Sequence, residues 1–348
     1  MRISLVFGIA QPRAPWQATT LALLLMLLLS ACKGPADAPP DVDMAGNDAP
    51  LRLAGPGAVV SFPLMRMAQT GIATADGLRP ARFALWHSPD QLRVLMARGE
   101  LDYSAAPANL PALMRNRGEP VRLLNVSVWG LLWLVSRDAD VHDLNDLRGQ
   151  TLLTPFRRDM GAIVLHALLD ARDLQPERDL QLRQTRDGLD AVTLMLAGQG
   201  DHALLPEPTA SLLLHRNAER GGAPLHRVQS VETAWAQTFP RQPELPQAGV
   251  MASARMAGNT ALGDAVVAAY ADAARWCKAD PPACAALAHT HLPQIPVVAL
   301  EQSIRVTRLD GLPAASVRPQ LEALYALLLD GQPETIGGRL PDPAFYGP

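Results

Sequence analysis

The chain has 348 residues, of which 48% are hydrophobic and 19% are charged, and its formal net charge at pH 7 is -3. This length and composition suffice for one large domain or two ordinary domains with a buried core. A mildly acidic chain without a basic run gives no electrostatic reason to bind nucleic acid. No apolar run after the first one is long enough to span a bilayer.

The N-terminal segment has the order of a secretory signal. Basic residues Arg2 and Arg13 precede an apolar core over Leu21–Leu29, and two small residues and Cys32 follow. The four residues Leu29–Cys32 resemble the lipobox of bacterial lipoproteins. That resemblance implies a signal peptide over residues 1–31, cleavage before Cys32 and acylation of its thiol. The alternative, a retained membrane helix, needs roughly 20 apolar residues, which is more than this core supplies.

Residues 32–50 are rich in proline, alanine and aspartate and show no periodicity. Such a segment cannot bury enough apolar surface to offset the entropy of ordering it. We therefore predict a disordered, lipidated tether, with folded sequence beginning near Leu51.

Two stretches of the remaining chain repeat one pattern 99 positions apart. In each, a capping residue opens an apolar helix, a glycine ends it, and an aspartate, a short strand and a proline follow. Strands Leu51–Ala54 and Thr151–Thr154 lead into earlier apolar helices with a similar offset. Chance is the alternative, because glycine commonly follows helices. The repeat predicts two α/β lobes of similar build; the matched pairs are Ser88 and Asp187, Gly99 and Gly198, Asp102 and Asp201, and Pro107 and Pro206.

Two apolar segments predict the connections between these lobes. The continuous run Val126–Val135 is typical of a single buried strand, and Gly249–Ala252 predicts a second strand after the second repeat. We expect the chain to cross between lobes at both. Lobe 1 is then formed by residues 51–134 and 248–348, and lobe 2 by residues 135–247.

The two cysteines that remain, Cys277 and Cys284, flank two consecutive prolines. In an oxidising envelope such a pair is most simply a disulfide, with a metal site or a catalytic thiol as the alternatives. His289 and His291 indicate a surface pair rather than a metal site, so we expect neither metal nor cofactor.

The segments Asp146–Gly149 (Asp-Leu-Arg-Gly) and Ala203–Pro208 (Ala-Leu-Leu-Pro-Glu-Pro), together with the lipobox and the paired lobes, resemble solute-binding lipoproteins of ABC importers. The nearest relatives would be those for nitrate, sulfonates, taurine and thiamine-precursor pyrimidines. The resemblance covers roughly Leu51–Tyr346. It implies a two-lobed, type II periplasmic-binding-protein fold, with a mixed sheet flanked by helices in each lobe and two hinge crossings. It also implies a monomer that hands its ligand to a permease and ATPase complex.

Ligands of open α/β sheets bind beyond the carboxyl ends of strands, where helix N-termini present free N–H groups. The repeats place four such loops around one cleft: Gly55–Val59, Ala105–Asn109, Pro155–Met160 and Pro206–Thr209. Arginines at a helix N-terminus suit a sulfonate, phosphate or carboxylate, and tryptophans would supply flat walls. The candidate ligand-binding residues are Gly55, Pro56, Ala58, Trp86, Ala106, Asn109, Trp129, Phe156, Arg157, Arg158, Asp159, Glu207 and Trp235.

Structural roles compete at several of these positions. Asp159 fits the N-cap of a helix, and Glu207 fits either a helix cap or the cleft. Arg157 and Arg158 each also fit a solvated loop. Core packing is the alternative for each tryptophan and for Phe156, and tight-turn geometry alone would explain Gly55, Pro56 and Ala58.

Capture of a small anionic, sulfonated or heteroaromatic molecule for an ABC importer is the function that the sequence favours. The alternatives are a ligand sensor of the same fold without transport and an enzyme like the thiamine-pyrimidine synthases. Those synthases use a cysteine-rich stretch that this sequence lacks, so we expect no catalysis. Because Lys33 rather than aspartate follows Cys32, the lipoprotein sorting rule favours the outer membrane.

Overall fold

The computed structural model describes residues 49–348. The predicted signal peptide over residues 1–31, the lipidation site Cys32 and nearly all of the tether lie outside the described residues. Within the described residues, no helix is both long enough and apolar enough to cross a membrane.

The described chain begins in a mixed sheet, in which the strands at one end are parallel and the remaining strands are antiparallel. In spatial order the strands run β14, β7, β13, β5, β1 and β4, and β6 pairs with β13. Strand β1 is parallel to both of its neighbours, whereas β13 is antiparallel to β5. The strands are β1 (Leu51–Gly55), β4 (Ala81–Leu85), β5 (Tyr103–Pro107), β6 (Arg122–Leu123), β7 (Asn125–Val128), β13 (Ala248–Ala252) and β14 (Leu309–Pro313).

Lobe 1 is the name we give to this sheet together with the helices that the two ends of the described chain form. A hairpin of β2 (Ile72–Thr74) and β3 (Gly77–Arg79) lies beside them. The helices are α1 (Phe62–Thr70), α2 (Pro89–Ala97), α3 (Asn109–Asn116), α8 (Thr260–Ala279), α9 (Pro281–His291), α10 (Val297–Val306) and α11 (Arg318–Gly331).

The middle of the chain forms a second sheet, in the spatial order β10, β9, β11, β8 and β12. Strands β10 and β11 are parallel to β9, and β8 is antiparallel to β11. This sheet and its helices are lobe 2. Its elements are β8 (Leu132–Ser136), β9 (Thr151–Thr154), α4 (Met160–Asp170), β10 (Gln181–Gln184), α5 (Gly188–Leu196), β11 (His202–Pro206), α6 (Thr209–Glu219), β12 (His226–Ser230) and α7 (Val231–Thr238).

The repeat seen in the sequence corresponds to a repeated topology. The order β4, β1, β5, β13 in lobe 1 matches β10, β9, β11, β8 in lobe 2, and the fourth strand is antiparallel in both. Ser88 and Asp187 accept hydrogen bonds from the backbone N–H groups of Gln91 and Asp190 and so cap α2 and α5. After these helices, Gly99 and Gly198 have φ values of 62° and 68°, a conformation in which glycine avoids Cβ strain.

The first crossing differs from the prediction of one strand over Val126–Val135. The chain leaves the first sheet after Val128 and enters the second at Leu132, so the run contains two short strands in different sheets. Every residue of both strands except Trp133 is buried, and burial on both faces removes the alternation that would mark a boundary. Gly130 permits a close approach here, because a Cβ on it would lie 2.4 Å from the Cβ of Glu232.

Gln247, which precedes β13, connects this crossing to the returning chain. Its backbone N–H donates to the Val128 carbonyl at 3.0 Å, and its side-chain oxygen accepts from the Leu131 N–H at 2.8 Å. The strand predicted over Gly249–Ala252 forms as β13 and returns the chain to the first sheet.

Cys277, in the last turn of α8, and Cys284, in the first turn of α9, lie against each other with their Cα atoms 5.0 Å apart. Both side chains are buried. The helix predicted over Gln320–Leu329 forms within α11.

Substituting Gly249→Ala should destabilise lobe 1. A Cβ at this position would lie 1.9 Å from the Asn125 carbonyl oxygen, so β7 and β13 would have to separate. Overpacking of this kind costs about 1–3 kcal/mol, and we expect urea denaturation to show a loss at the upper end of that range. Gly258→Ala is the matched control, because its Cβ would meet nothing within 4 Å. Equal stability of the two variants would contradict this account of the sheet.

Candidate functional site

A cleft of about 410 Å³ lies between lobe 1 and lobe 2. Lobe 1 contributes the N-terminal halves of α2 and α3 and a short C-terminal segment after α11, and lobe 2 contributes the N-terminal half of α4. The walls are mostly apolar, with charged groups among them. The lining residues are Pro89, Arg93, Pro107, Asn109, Leu110, Leu113, Arg157, Arg158, Asp159, Met160, Ala162, Ile163, His166, Gln332, Glu334 and Thr335.

Topology explains why these segments meet. In each lobe a strand brings the chain to the cleft at its carboxyl end. Strand β5 ends at Pro107 and α3 begins at Asn109, whereas β9, the counterpart of β1 in the repeat, ends at Thr154 and leads through a loop to α4 at Met160. Two of the four predicted loops, Ala105–Asn109 and Pro155–Met160, therefore contribute to the cleft. The loops Gly55–Val59 and Pro206–Thr209 do not line it.

Arg157 and Arg158 precede α4 and are exposed to solvent. Neither guanidinium has a hydrogen-bond or ion-pair partner among residues 49–348. The N-terminus of α4 adds its own partial positive charge beside them. Two unpaired cations at a helix N-terminus form an arrangement that favours a bound anion.

Asp159 is the N-cap of α4, as its sequence position indicated. Its carboxylate accepts a hydrogen bond from the Ala162 N–H at 3.3 Å. Burial raises the pKa of the Asp159 carboxyl, and the hydrogen bonds that it accepts from the helix backbone oppose this rise. The side chain therefore both holds the helix start in place and lines the cleft.

The C-terminal segment Gln332–Thr335 is a wall that the sequence did not reveal. Asn109 Nδ2 donates to the Thr335 carbonyl at 3.2 Å, and Gln332 Nε2 donates across the cleft to the Ile163 carbonyl at 3.2 Å. We call this segment the strap. It contains the short 3₁₀ helix Pro333–Thr335. Its contacts at the cleft are with residues more than 160 positions away, so no local pattern could have placed it here.

The three candidate tryptophans lie outside the cleft, in packed surroundings. Trp86 donates from Nε1 to Ser104 Oγ at 3.1 Å, and Trp235 donates to the Gln242 carbonyl at 3.0 Å. Trp129 is fully buried at the first crossing. The structure thus gives these rings the core role that was the alternative to ligand contact.

Glu207 is fully buried in lobe 2. Its carboxylate forms a 2.7 Å ion pair with Arg227 and accepts hydrogen bonds from the backbone N–H and the hydroxyl of Ser211. The carboxylate therefore caps the first turn of α6 instead of lining the cleft. Phe156 packs on the start of α4, since a Cβ on Gly161 would lie 2.4 Å from its ring.

The small candidate residues also serve packing. A Cβ on Gly55 would lie 2.2 Å from Ser61 Oγ, so glycine is needed for the close turn into α1. Ala58 and Ala106 are buried and Pro56 is half-buried, and none of these four residues lines the cleft.

Behind the crossing, Arg308 joins the two lobes. Its guanidinium lies 4.5 Å from the centre of the Trp129 ring, which is within the range of a cation–π contact. It also pairs with Glu232 of α7 at 3.3 Å and with Glu244 at 3.0 Å. Burial raises the pKa of Glu232, and the hydrogen bond from Arg308 opposes this rise.

Among the described residues, no group of three or more histidine, cysteine, aspartate or glutamate side chains is placed to hold a metal ion. No protein-family model matches the chain, and a search of curated proteins finds no match.

Solved structures do match. An ABC transporter protein from Parabacteroides distasonis aligns with a TM-score of 0.72 at 18% identity, over 86% of this chain and 99% of that one. The periplasmic nitrate-binding protein NrtA from Synechocystis PCC 6803 aligns with a TM-score of 0.62 at 13% identity, over 83% and 84%. The periplasmic aliphatic sulphonate-binding protein SsuA from Escherichia coli aligns with a TM-score of 0.58 at 15% identity, over 84% and 92%.

These similarities confirm the fold that the sequence predicted. The chain has the two-lobed α/β fold of periplasmic binding proteins of the sulfonate and nitrate type.

Replacing Glu207 should affect stability and leave ligand binding unchanged. Removing one partner of a buried ion pair leaves an uncompensated charge and costs about 3–5 kcal/mol, so Glu207→Ala should lower the free energy of unfolding by that amount. Glu334→Ala is the control, because that carboxylate is exposed in the cleft, and surface changes usually stay within about 0.5 kcal/mol. A stable Glu207→Ala variant with weakened ligand binding would show that Glu207 belongs to the ligand site.

Proposed function

We propose that this protein captures a small anion in the cleft between its lobes and delivers it to an ABC importer. The observation that carries the proposal is the pair of unpaired arginines, Arg157 and Arg158, at the N-terminus of α4. Fold similarity to nitrate- and sulphonate-binding proteins supports the same assignment.

The apolar side chains and the volume of the cleft indicate the size and polarity of the rest of the ligand. Leu110, Leu113 and Ile163 offer apolar surface, and a volume of about 410 Å³ falls within the usual range for small-molecule sites. An anionic head group would pair with the guanidiniums while a short organic part would pack on these side chains. We therefore favour organic anions, with sulfonates as the first class to test.

Release and capture would follow from motion between the lobes. The chain passes between the sheets at residues 129–131 and again near Gln247, so rotation about two adjacent crossings would open and close the cleft. A ligand favours the closed state only to the extent that it binds that state more tightly than the open one. A head group held by lobe 2 with its organic part against lobe 1 would meet this condition.

We further propose that the chain is an extracytoplasmic lipoprotein. The lipobox at Leu29–Cys32 and the paired cysteines Cys277 and Cys284 support cleavage before Cys32, acylation of its thiol and a disulfide formed in an oxidising compartment. The lipid would attach a monomeric protein to the outer membrane.

Replacement of both arginines should weaken anion binding. We expect a thermal-shift screen of sulfonates, nitrate, organic acids and pyrimidines to identify an anion that raises the melting temperature. Because hydrogen bonds to charged groups contribute about 1.5–3 kcal/mol each, Arg157→Ala together with Arg158→Ala should weaken binding of that anion at least tenfold by calorimetry. Arg241→Ala removes an exposed arginine outside the cleft and should leave affinity unchanged. Unchanged affinity in the double variant would overturn the proposed site.

Intact-mass spectrometry of the protein extracted from membranes tests the proposed maturation. We expect a chain that begins at Cys32, carries fatty acyl groups and gains two alkylated thiols only after reduction. A free thiol at Cys277 or Cys284 before reduction would contradict the disulfide. An unmodified residue 32 would contradict the lipid anchor.

A further inference from the structure

Asn109 is the polar side chain of the cleft with an unmet hydrogen-bonding group. It is the first residue of α3, lines the cleft and is only 7% exposed. Its Nδ2 donates to the Thr335 carbonyl of the strap, whereas its Oδ1 is buried and has no hydrogen-bond partner.

The orientation of this amide follows from its surroundings. Amide oxygen and nitrogen atoms are assigned from their hydrogen bonds, and the Thr335 carbonyl can only accept. The nitrogen must therefore face the strap, and the oxygen must face away from it. An exchange of the two atoms would bring two acceptors together and would leave the amide without its one hydrogen bond.

A buried acceptor without a partner is unfavourable unless something else satisfies it. Arg157 and Arg158, which line the cleft from lobe 2 without a partner among the described residues, are free to serve an anion, and Gln332 already donates to Ile163. An incoming O–H or N–H group is what the Asn109 carbonyl lacks. It would be supplied by the same ligand whose negative charge pairs with the arginines.

We propose that the cleft selects anions that also carry a hydrogen-bond donor, and that Asn109 Oδ1 receives that donor. This inference rests on the proposed capture of an anion and names a narrower substrate class. Sites built to hydrogen-bond a ligand hydroxyl discriminate strongly against analogues that lack it, because the protein group is then left unpaired.

Isosteric pairs of anions test the inference directly. 2-Hydroxyethanesulfonate and propane-1-sulfonate differ only in a hydroxyl replacing a methyl group, and 3-hydroxypropionate and butyrate form the corresponding carboxylate pair. We expect the mature protein to bind the hydroxylated member of at least one pair tenfold or more tightly by calorimetry. Asn109→Leu should remove this preference while retaining binding of the methyl analogue.

Asn116→Leu is the matched control. Asn116 lies seven residues further along α3 and does not line the cleft. Its side chain donates at 2.6 Å to the carbonyl of Ile336, the residue that follows the strap. The control should lose thermal stability and keep the preference for the hydroxylated anion. It thereby separates loosening of the strap from loss of the acceptor.

The outcomes distinguish this inference from the proposal on which it rests. Equal affinity for both members of each pair, with binding still weakened at least tenfold by replacing Arg157 and Arg158, would overturn the role of Asn109 and leave anion capture standing. A preference that persists in Asn109→Leu would do the same. Failure of all four anions to bind would overturn both the inference and the assignment of the cleft to these anion classes.

Discussion

The hydrogen bonds of Gln247 hold together the only region where the described chain passes between its two sheets. Gln247 binds Val128 on the lobe 1 side of the first crossing and Leu131 on the lobe 2 side. Both crossings therefore lie side by side. The lobes also meet where Arg216 of α6 donates to the Gln294 carbonyl at 3.3 Å. The cleft, with α3 on one wall and α4 on the other, is a consequence of this arrangement. Arg308 braces the same region through Trp129, Glu232 and Glu244.

Several arginines of the described chain form ion pairs with carboxylates, whereas the two that precede α4 at the cleft do not. Arg52 and Arg227 reach buried carboxylates, on Asp102 and Glu207, and Arg308 reaches half-buried ones. Arg157 and Arg158 have no such partner within the described residues. They are adjacent to the N-terminus of α4, whose partial positive charge also favours a negative group. Both guanidiniums are thus without an ion pair at a cleft that the carboxylates of Asp159 and Glu334 also line. A bound anion would supply the missing partner.

Local patterns predicted much of this architecture, and nonlocal contacts account for what they missed. Helix capping by Ser88 and Asp187 and the left-handed conformation of Gly99 and Gly198 depend on neighbouring residues, so the repeat could be recognised in the sequence. Arg157, Arg158, Asp159 and Asn109 follow strands, and in the structure all four line the cleft. Trp129 packs against the Arg308 guanidinium, and the strap is held by hydrogen bonds with Asn109 and Ile163. In each case the partners are distant in sequence. In the apolar run Val126–Val135, the isolated glycine Gly130 was the signal that could have indicated the change of sheet.

The central claim is that two lobes close around an anion held at the start of α4. Small-angle X-ray scattering of the mature protein, without ligand and saturated with the tightest-binding anion, tests it most directly. The account predicts a smaller radius of gyration in the saturated protein, and no change when the same anion is added to the variant lacking both Arg157 and Arg158. Identical scattering curves with and without saturating anion would contradict closure of the cleft.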